Sequence, residues 1–142
     1  MNKSRNGWRA ETEIQVQFFD LDPMEVVWHG HYVKYLEMAR CALLDTIDYN
    51  YTQMKASGYA WPVIDMHLRY VDSARFGQRL KVRAEIAEWE NRLKIDYLIT
   101  DAASGHRLLR GSTTQVAVDM ATREMCFVSP AVLLQKLGIC PS

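Results

Sequence analysis

A chain of 142 residues, 49% of them hydrophobic, is long enough to bury a core without disulfide or metal staples and too apolar for intrinsic disorder. Lysine plus arginine balance aspartate plus glutamate at 17 each, which leaves no net charge to draw the chain to nucleic acid or an anionic membrane. No stretch approaches the roughly 18 apolar residues of a membrane span, and Met1 to Trp8 lack the apolar run of a signal peptide.

These bounds predict one domain over residues 1–142 in the cytoplasm. Cys41, Cys126 and Cys140 are odd in number, far apart and without metal-ligand spacing, so they read as reduced thiols. Residues 1–9 form an N-terminal arm, loose or paired. From Thr12 to Phe18 apolar and polar residues alternate, with Ile14, Val16 and Phe18 on one face, which is strand periodicity. An acid-rich turn follows, Asp20-Leu21-Asp22-Pro23-Met24-Glu25. From about Gly30 to Ile47 the period becomes helical, with Tyr32, Tyr35, Leu36, Ala39, Leu43 and Ile47 on one broad apolar face. Residues 48–60 read as a connection holding a short helical turn.

The two-residue period then returns. Ile64, Met66, Leu68 and Tyr70 share a face, as do Leu80, Val82, Ala84 and Ile86, and then Leu93, Ile95, Tyr97 and Ile99. Leu108 to Val118 reads as a long strand and Glu124 to Val128 as a short one, with turns at Ser73–Gln78, Glu90–Arg92, Ala102–His106 and Asp119–Arg123. Ser129-Pro130 opens a short terminal helix, Ser as N-cap and Pro at the first helical position. Short connections between successive strands imply an antiparallel sheet, and a single long helix ahead of them implies an α+β fold with the sheet curved around that helix.

The chemistry concentrates where the acidic turn meets the helix. Asp22 and His29 fall beside a helix start, where unpaired backbone N–H groups and the positive end of the dipole favour negative charge. That is what a reaction passing through an oxyanion requires. Taken alone, Asp-Pro reads first as a turn initiator, and Asp20 fits equally a place bracketing the site and a turn or capping role. His29 and His31, two apart without a third ligand, do not make a metal site. Glu37, about two turns beyond His29, is a rival acid, but its i, i+3 spacing to Arg40 is that of a helix ion pair. Cys41, mid-helix without a base, reads as buried packing. The aromatics Tyr32, Tyr35, Tyr59, Trp61 and Phe76 suit either a pocket or the core.

Two segments carry a family likeness. Phe19-Asp20-Leu21-Asp22-Pro23, then Val26-Val27-Trp28-His29 and Tyr32-Val33-Lys34-Tyr35-Leu36-Glu37-Met38-Ala39-Arg40, resemble the signature of hotdog-fold acyl-CoA thioesterases, nearest the branch of 4-hydroxybenzoyl-CoA thioesterase and the YbgC-type enzymes. Tyr70 to Leu80 resembles that branch's segment after the central helix. The likeness covers about residues 11–128. It implies the hotdog fold, a curved antiparallel sheet wrapped around one long helix, with edge-to-edge pairing into a homodimer, often a homotetramer, and the active site at the dimer interface. It implies hydrolysis of an acyl- or aroyl-CoA, with an acyl carrier protein thioester or a non-catalytic binding module as alternatives.

Under that likeness Asp22 is the catalytic carboxylate, as nucleophile or as general base. His29 marks the helix start whose N–H polarises the carbonyl, Gly30 lets the thioester approach the backbone, and Tyr32 lines the substrate site. Arg75 is the best candidate for the coenzyme A phosphates among Arg69, Arg75, Arg79, Lys81 and Arg83, which alternate as a solvated sheet face also would. No metal or redox cofactor is needed, coenzyme A being part of the substrate. One departure stands out: Met24 and Glu25 follow the aspartate where that branch carries small residues.

Overall fold

The computed structural model describes residues 8–139; the start of the N-terminal arm and Cys140 lie outside them. The alternating segments become strands of one antiparallel sheet: β1 (Arg9–Gln15), β3 (Val63–Tyr70), β4 (Arg79–Glu88), β5 (Leu93–Asp101) and β6 (Arg107–Gln115), in the order β1-β4-β5-β6-β3. Two further strands, β2 (Tyr59–Ala60) and β7 (Val118–Asp119), pair with each other apart from it. The helices are α1 (Tyr32–Thr46), α2 (Tyr51–Ala56) and α3 (Ala131–Leu137). This is the α+β hotdog arrangement.

In β4, Leu80, Val82, Ala84 and Ile86 are all buried, and in β5 so are Leu93, Ile95, Tyr97 and Ile99. One face of a central strand must lie against something apolar, and α1 supplies it with Tyr32, Tyr35, Leu36, Ala39, Leu43 and Leu44. The helix crosses β1 and β4. Asp48 turns the chain in the left-handed region (φ 54°) after α1. Asn50 then caps α2 in a reciprocal box with Gln53, which is the short helical turn expected in the connection.

Several boundaries differ from the sequence pattern. The first strand begins three residues earlier and ends at Gln15, because Val16 already pairs with the Gln78 carbonyl (2.9 Å) and residues 18–20 coil into a 3-10 turn. Phe18 is therefore 77% exposed instead of sharing a buried face with Val16. The last long strand stops at Gln115, and β7 peels off to meet β2. No strand forms at 124–128: Glu124 and Cys126 only bond back across 117–119. The terminal helix begins at Ala131 with Pro130 at its N-cap, and the Ser129 hydroxyl caps nothing.

The largest departure concerns β3. It occupies an edge of the sheet, and of the residues read as sharing one face Ile64, Met66 and Tyr70 are exposed while Leu68 is partly buried against the core. No described helix is long and apolar enough to cross a membrane.

Candidate active site

The acidic turn folds into a tight loop because its own polar groups close it. The Asp22 N–H donates to the Val26 carbonyl and the Glu25 N–H to the Asp22 carbonyl, both at 2.9 Å, with Leu21 and Val27 bridged antiparallel. Glu25 takes a left-handed conformation (φ 65°) at the tip. The Asp22 carboxylate accepts the Met24 N–H through Oδ1 at 2.8 Å. Among the described residues nothing donates to its Oδ2, so that oxygen is left for a ligand.

Two long-range clamps fix this loop to the helix. The Val27 N–H donates to the Ala74 carbonyl (2.9 Å), and the Ala74 N–H donates to the Tyr32 hydroxyl oxygen (3.0 Å). Ala74 is fully buried between them. Burial pushes the Tyr32 phenol up from its ordinary pKa, and it stays a neutral hydroxyl. Below, Asp20 is 3% exposed and accepts both the Gln17 N–H and the Tyr35 hydroxyl at 2.9 Å through one oxygen. Asp20 thus holds the turn and does not reach the cleft.

The result is a cleft of about 400 Å3 bounded by Asp22, His29, Tyr32, Tyr70 and Asp72. Its helix side is a 3-10 turn, His29–His31, that leads into α1. The His31 N–H is taken by the Trp28 carbonyl at 2.9 Å, so the first-turn amides left for a ligand are those of His29 and Gly30. Tyr70 donates from its hydroxyl to the His29 carbonyl at 2.9 Å and steadies that turn from the sheet. Asp72 is a second carboxylate at the rim. It sits 3.0 Å from His106, whose hydrogen bond is the main cause holding the Asp72 pKa below its ordinary value.

Of the residues expected at the site, Asp22, His29 and Tyr32 come together in the cleft. Arg75 does not line it: its backbone bridges Val26 and its N–H donates to Gln78 Oε1. Gly30 also has a packing reason to be glycine. A Cβ there would lie 2.3 Å from Cζ3 and 2.4 Å from Cη2 of the Trp28 indole, which covers the turn and packs against His29 and His31. Trp28, Tyr70 and Asp72 are the residues that sequence reasoning missed. Glu37 pairs with Arg40 as their spacing predicted. Cys41 is exposed, contrary to its reading as core, because Leu36, Ala39 and Leu43 take the buried stripe. Among the described residues no three His, Cys, Asp or Glu side chains gather as metal ligands.

Comparison with known proteins agrees with this architecture. The family model described as the thioesterase-like superfamily matches residues 16–136. The chain belongs to that superfamily. A Synechocystis protein provisionally named as the esterase sll0410 is 30% identical over 128 residues, covering 89% of this chain and 77% of its own. The DHNA-CoA thioesterase of Staphylococcus aureus superposes with a TM-score of 0.75 at 25% identity, over 84% of this chain and 80% of that one. A 4-hydroxybenzoyl CoA thioesterase complexed with 4-hydroxybenzoyl CoA shares the fold, with a TM-score of 0.79 at 15% identity over 92% and 99% of the two chains.

Proposed function

We propose that this protein is a cytoplasmic thioesterase that hydrolyses an acyl- or aroyl-CoA to the free acid and coenzyme A, with Asp22 as the catalytic carboxylate. The observation that carries the reading is the unpaired Oδ2 of Asp22 in a cleft that also holds the first turn leading into α1. As a base, Asp22 takes a proton from water while the oxygen adds to the thioester carbonyl carbon. As a nucleophile, it adds to that carbon itself, and water then opens the anhydride. In both routes negative charge grows on the carbonyl oxygen, and fixed N–H donors at His29 and Gly30 lower the barrier. Collapse breaks the C–S bond and the sulfur leaves as coenzyme A. The residues need no metal or redox group for these steps.

The active form in this reading is a homodimer paired through β3. A long apolar edge strand in water is a template for another strand, and β3 offers Ile64, Met66 and Tyr70 there.

The test is thiol release from short, medium, long and aromatic CoA thioesters by wild type and Asp22→Asn, with folding of both checked. The expected loss in the variant is about 10²-fold or more with binding retained. Wild-type turnover in Asp22→Asn would move the chemistry to another acid, Glu37 or Asp72.

A further inference from the structure

The turn leading into α1 is the part of the cleft that the helix itself holds least firmly. Residues His29–His31 form a 3-10 turn, whose hydrogen-bond geometry is poorer than that of an α-helix. The His29 and Gly30 amides left there for a ligand each belong to a planar trans peptide, in which the carbonyl points away from the N–H. Whatever holds that carbonyl therefore sets where the N–H is aimed.

The two peptides are held in different ways. The His29 N–H shares its peptide with the Trp28 carbonyl, which accepts the His31 N–H at 2.9 Å. The Gly30 N–H shares its peptide with the His29 carbonyl, which accepts the Tyr70 hydroxyl at 2.9 Å. The first clamp comes from inside the turn. The second crosses from the end of β3, 41 residues further along the chain. The Tyr70 ring is itself seated edge-on against Tyr32, with centroids 5.5 Å apart, and against His29 at 6.5 Å. Tyr32 is 2% exposed and anchored by the Ala74 N–H, so the cluster that fixes the Asp22 loop also seats Tyr70.

Donation to a carbonyl oxygen does more than hold it. It draws electron density from the peptide nitrogen through amide resonance, and the N–H on that nitrogen becomes a stronger donor. Hydrogen bonds coupled in this way gain roughly 10–30% each. Because negative charge on a thioester oxygen grows towards the transition state, a stronger donor gains more there than in the ground state, which is the condition for raising a rate.

We propose that Tyr70 is a positioning residue for the hydrolysis: its hydroxyl, acting through the His29 carbonyl, aims and strengthens the Gly30 N–H that receives the charge on the thioester oxygen. The inference rests on the thioesterase reading and adds to it that one of the two oxyanion donors is governed from the sheet.

Tyr70→Phe tests it, because the ring stays and only the hydroxyl goes. Loss of a whole oxyanion donor costs about 10²–10³ in kcat, and a tenth to a third of that exponent is about two- to eightfold. The variant is expected to lose that much in kcat on the best thioester of the panel, with KM changed by less than about twofold and folding intact by urea denaturation. The second readout is vibrational. In an Asp22→Asn background, isotope-edited infrared spectra of bound benzoyl-CoA or octanoyl-CoA, labelled at the carbonyl carbon, should place the carbonyl stretch below that of the free thioester. Adding Tyr70→Phe should raise it part of the way back.

Wild-type kcat in Tyr70→Phe, with or without a change in KM, would overturn the proposal. A fall in kcat with no movement of the carbonyl stretch would also overturn it, because the hydroxyl would then merely steady the turn. Absence of thiol release by wild type from every thioester would overturn the thioesterase reading itself, an outcome distinct from turnover that ignores the Tyr70 hydroxyl.

Discussion

Gly30→Ala tests the construction of the helix start most directly. The added methyl would sit 2.3, 2.4 and 2.8 Å from three carbons of the Trp28 indole, so the ring must move. Overpacking of this kind costs about 1–3 kcal/mol, whereas replacing Gly by Ala within a helical turn returns about 0.5–1 kcal/mol. The net expectation is a destabilisation of about 0.5–2 kcal/mol, limited because Trp28 is 46% exposed and can swing outward. Activity should suffer more, since a shift of about 1 Å in a positioning group can cost about 10²-fold. In a Trp28→Ala background the clash is gone, and the same substitution should stabilise by up to about 1 kcal/mol. The assay is a double-mutant cycle by urea denaturation, with thiol release measured on the same four proteins. A destabilisation of equal size in both backgrounds would refute the argument, because it would show that Trp28 is not what requires the glycine.

Three further outcomes follow from the same geometry. Asp20→Ala removes the buried acceptor shared by the Gln17 N–H and the Tyr35 hydroxyl; chemical denaturation should show a loss of about 1–3 kcal/mol, and no loss would mean the bonds contribute nothing net. Burial and the Asp20 carboxylate raise the Tyr35 pKa far above its ordinary 10.0, so above about pH 10 the unfolded chain releases a proton that the folded chain keeps, and stability falls as pH rises. Tyr35→Phe should flatten that fall in urea titrations between about pH 9 and 11, and an unchanged slope would contradict it. Ile64→Asp places a charge on the β3 edge, where Ile64 is 57% exposed; sedimentation should show monomers with diminished thiol release, and persistent dimers would relocate the interface.

The alternation in β4 and β5 was legible because a central antiparallel strand with one covered face must repeat every two residues. The stripe of α1 was legible for the corresponding helical reason. Asp22 and the helix start could be linked by reading alone, since they lie close enough in sequence for the local turn to bring them together. At β3 the same alternation showed that Ile64, Met66, Leu68 and Tyr70 share a face but not that the face is largely exposed, because periodicity does not report whether a sheet edge or a core lies against it. Cys41 misled: it borders the apolar stripe, and only the seating of α1 on β1 and β4 leaves its flank open.

By itself, then, the sequence determined the element types, the hotdog order of strand, helix and strands, and the carboxylate beside a helix N-terminus, all consequences of local backbone and patterning forces. The tertiary structure alone decided that Tyr70, Asp72 and Ala74 close on Asp22 and Tyr32 from some forty to fifty residues away. Those meetings depend on strand register and on how the sheet lies over α1, and contacts between distant segments leave no periodic trace in the chain.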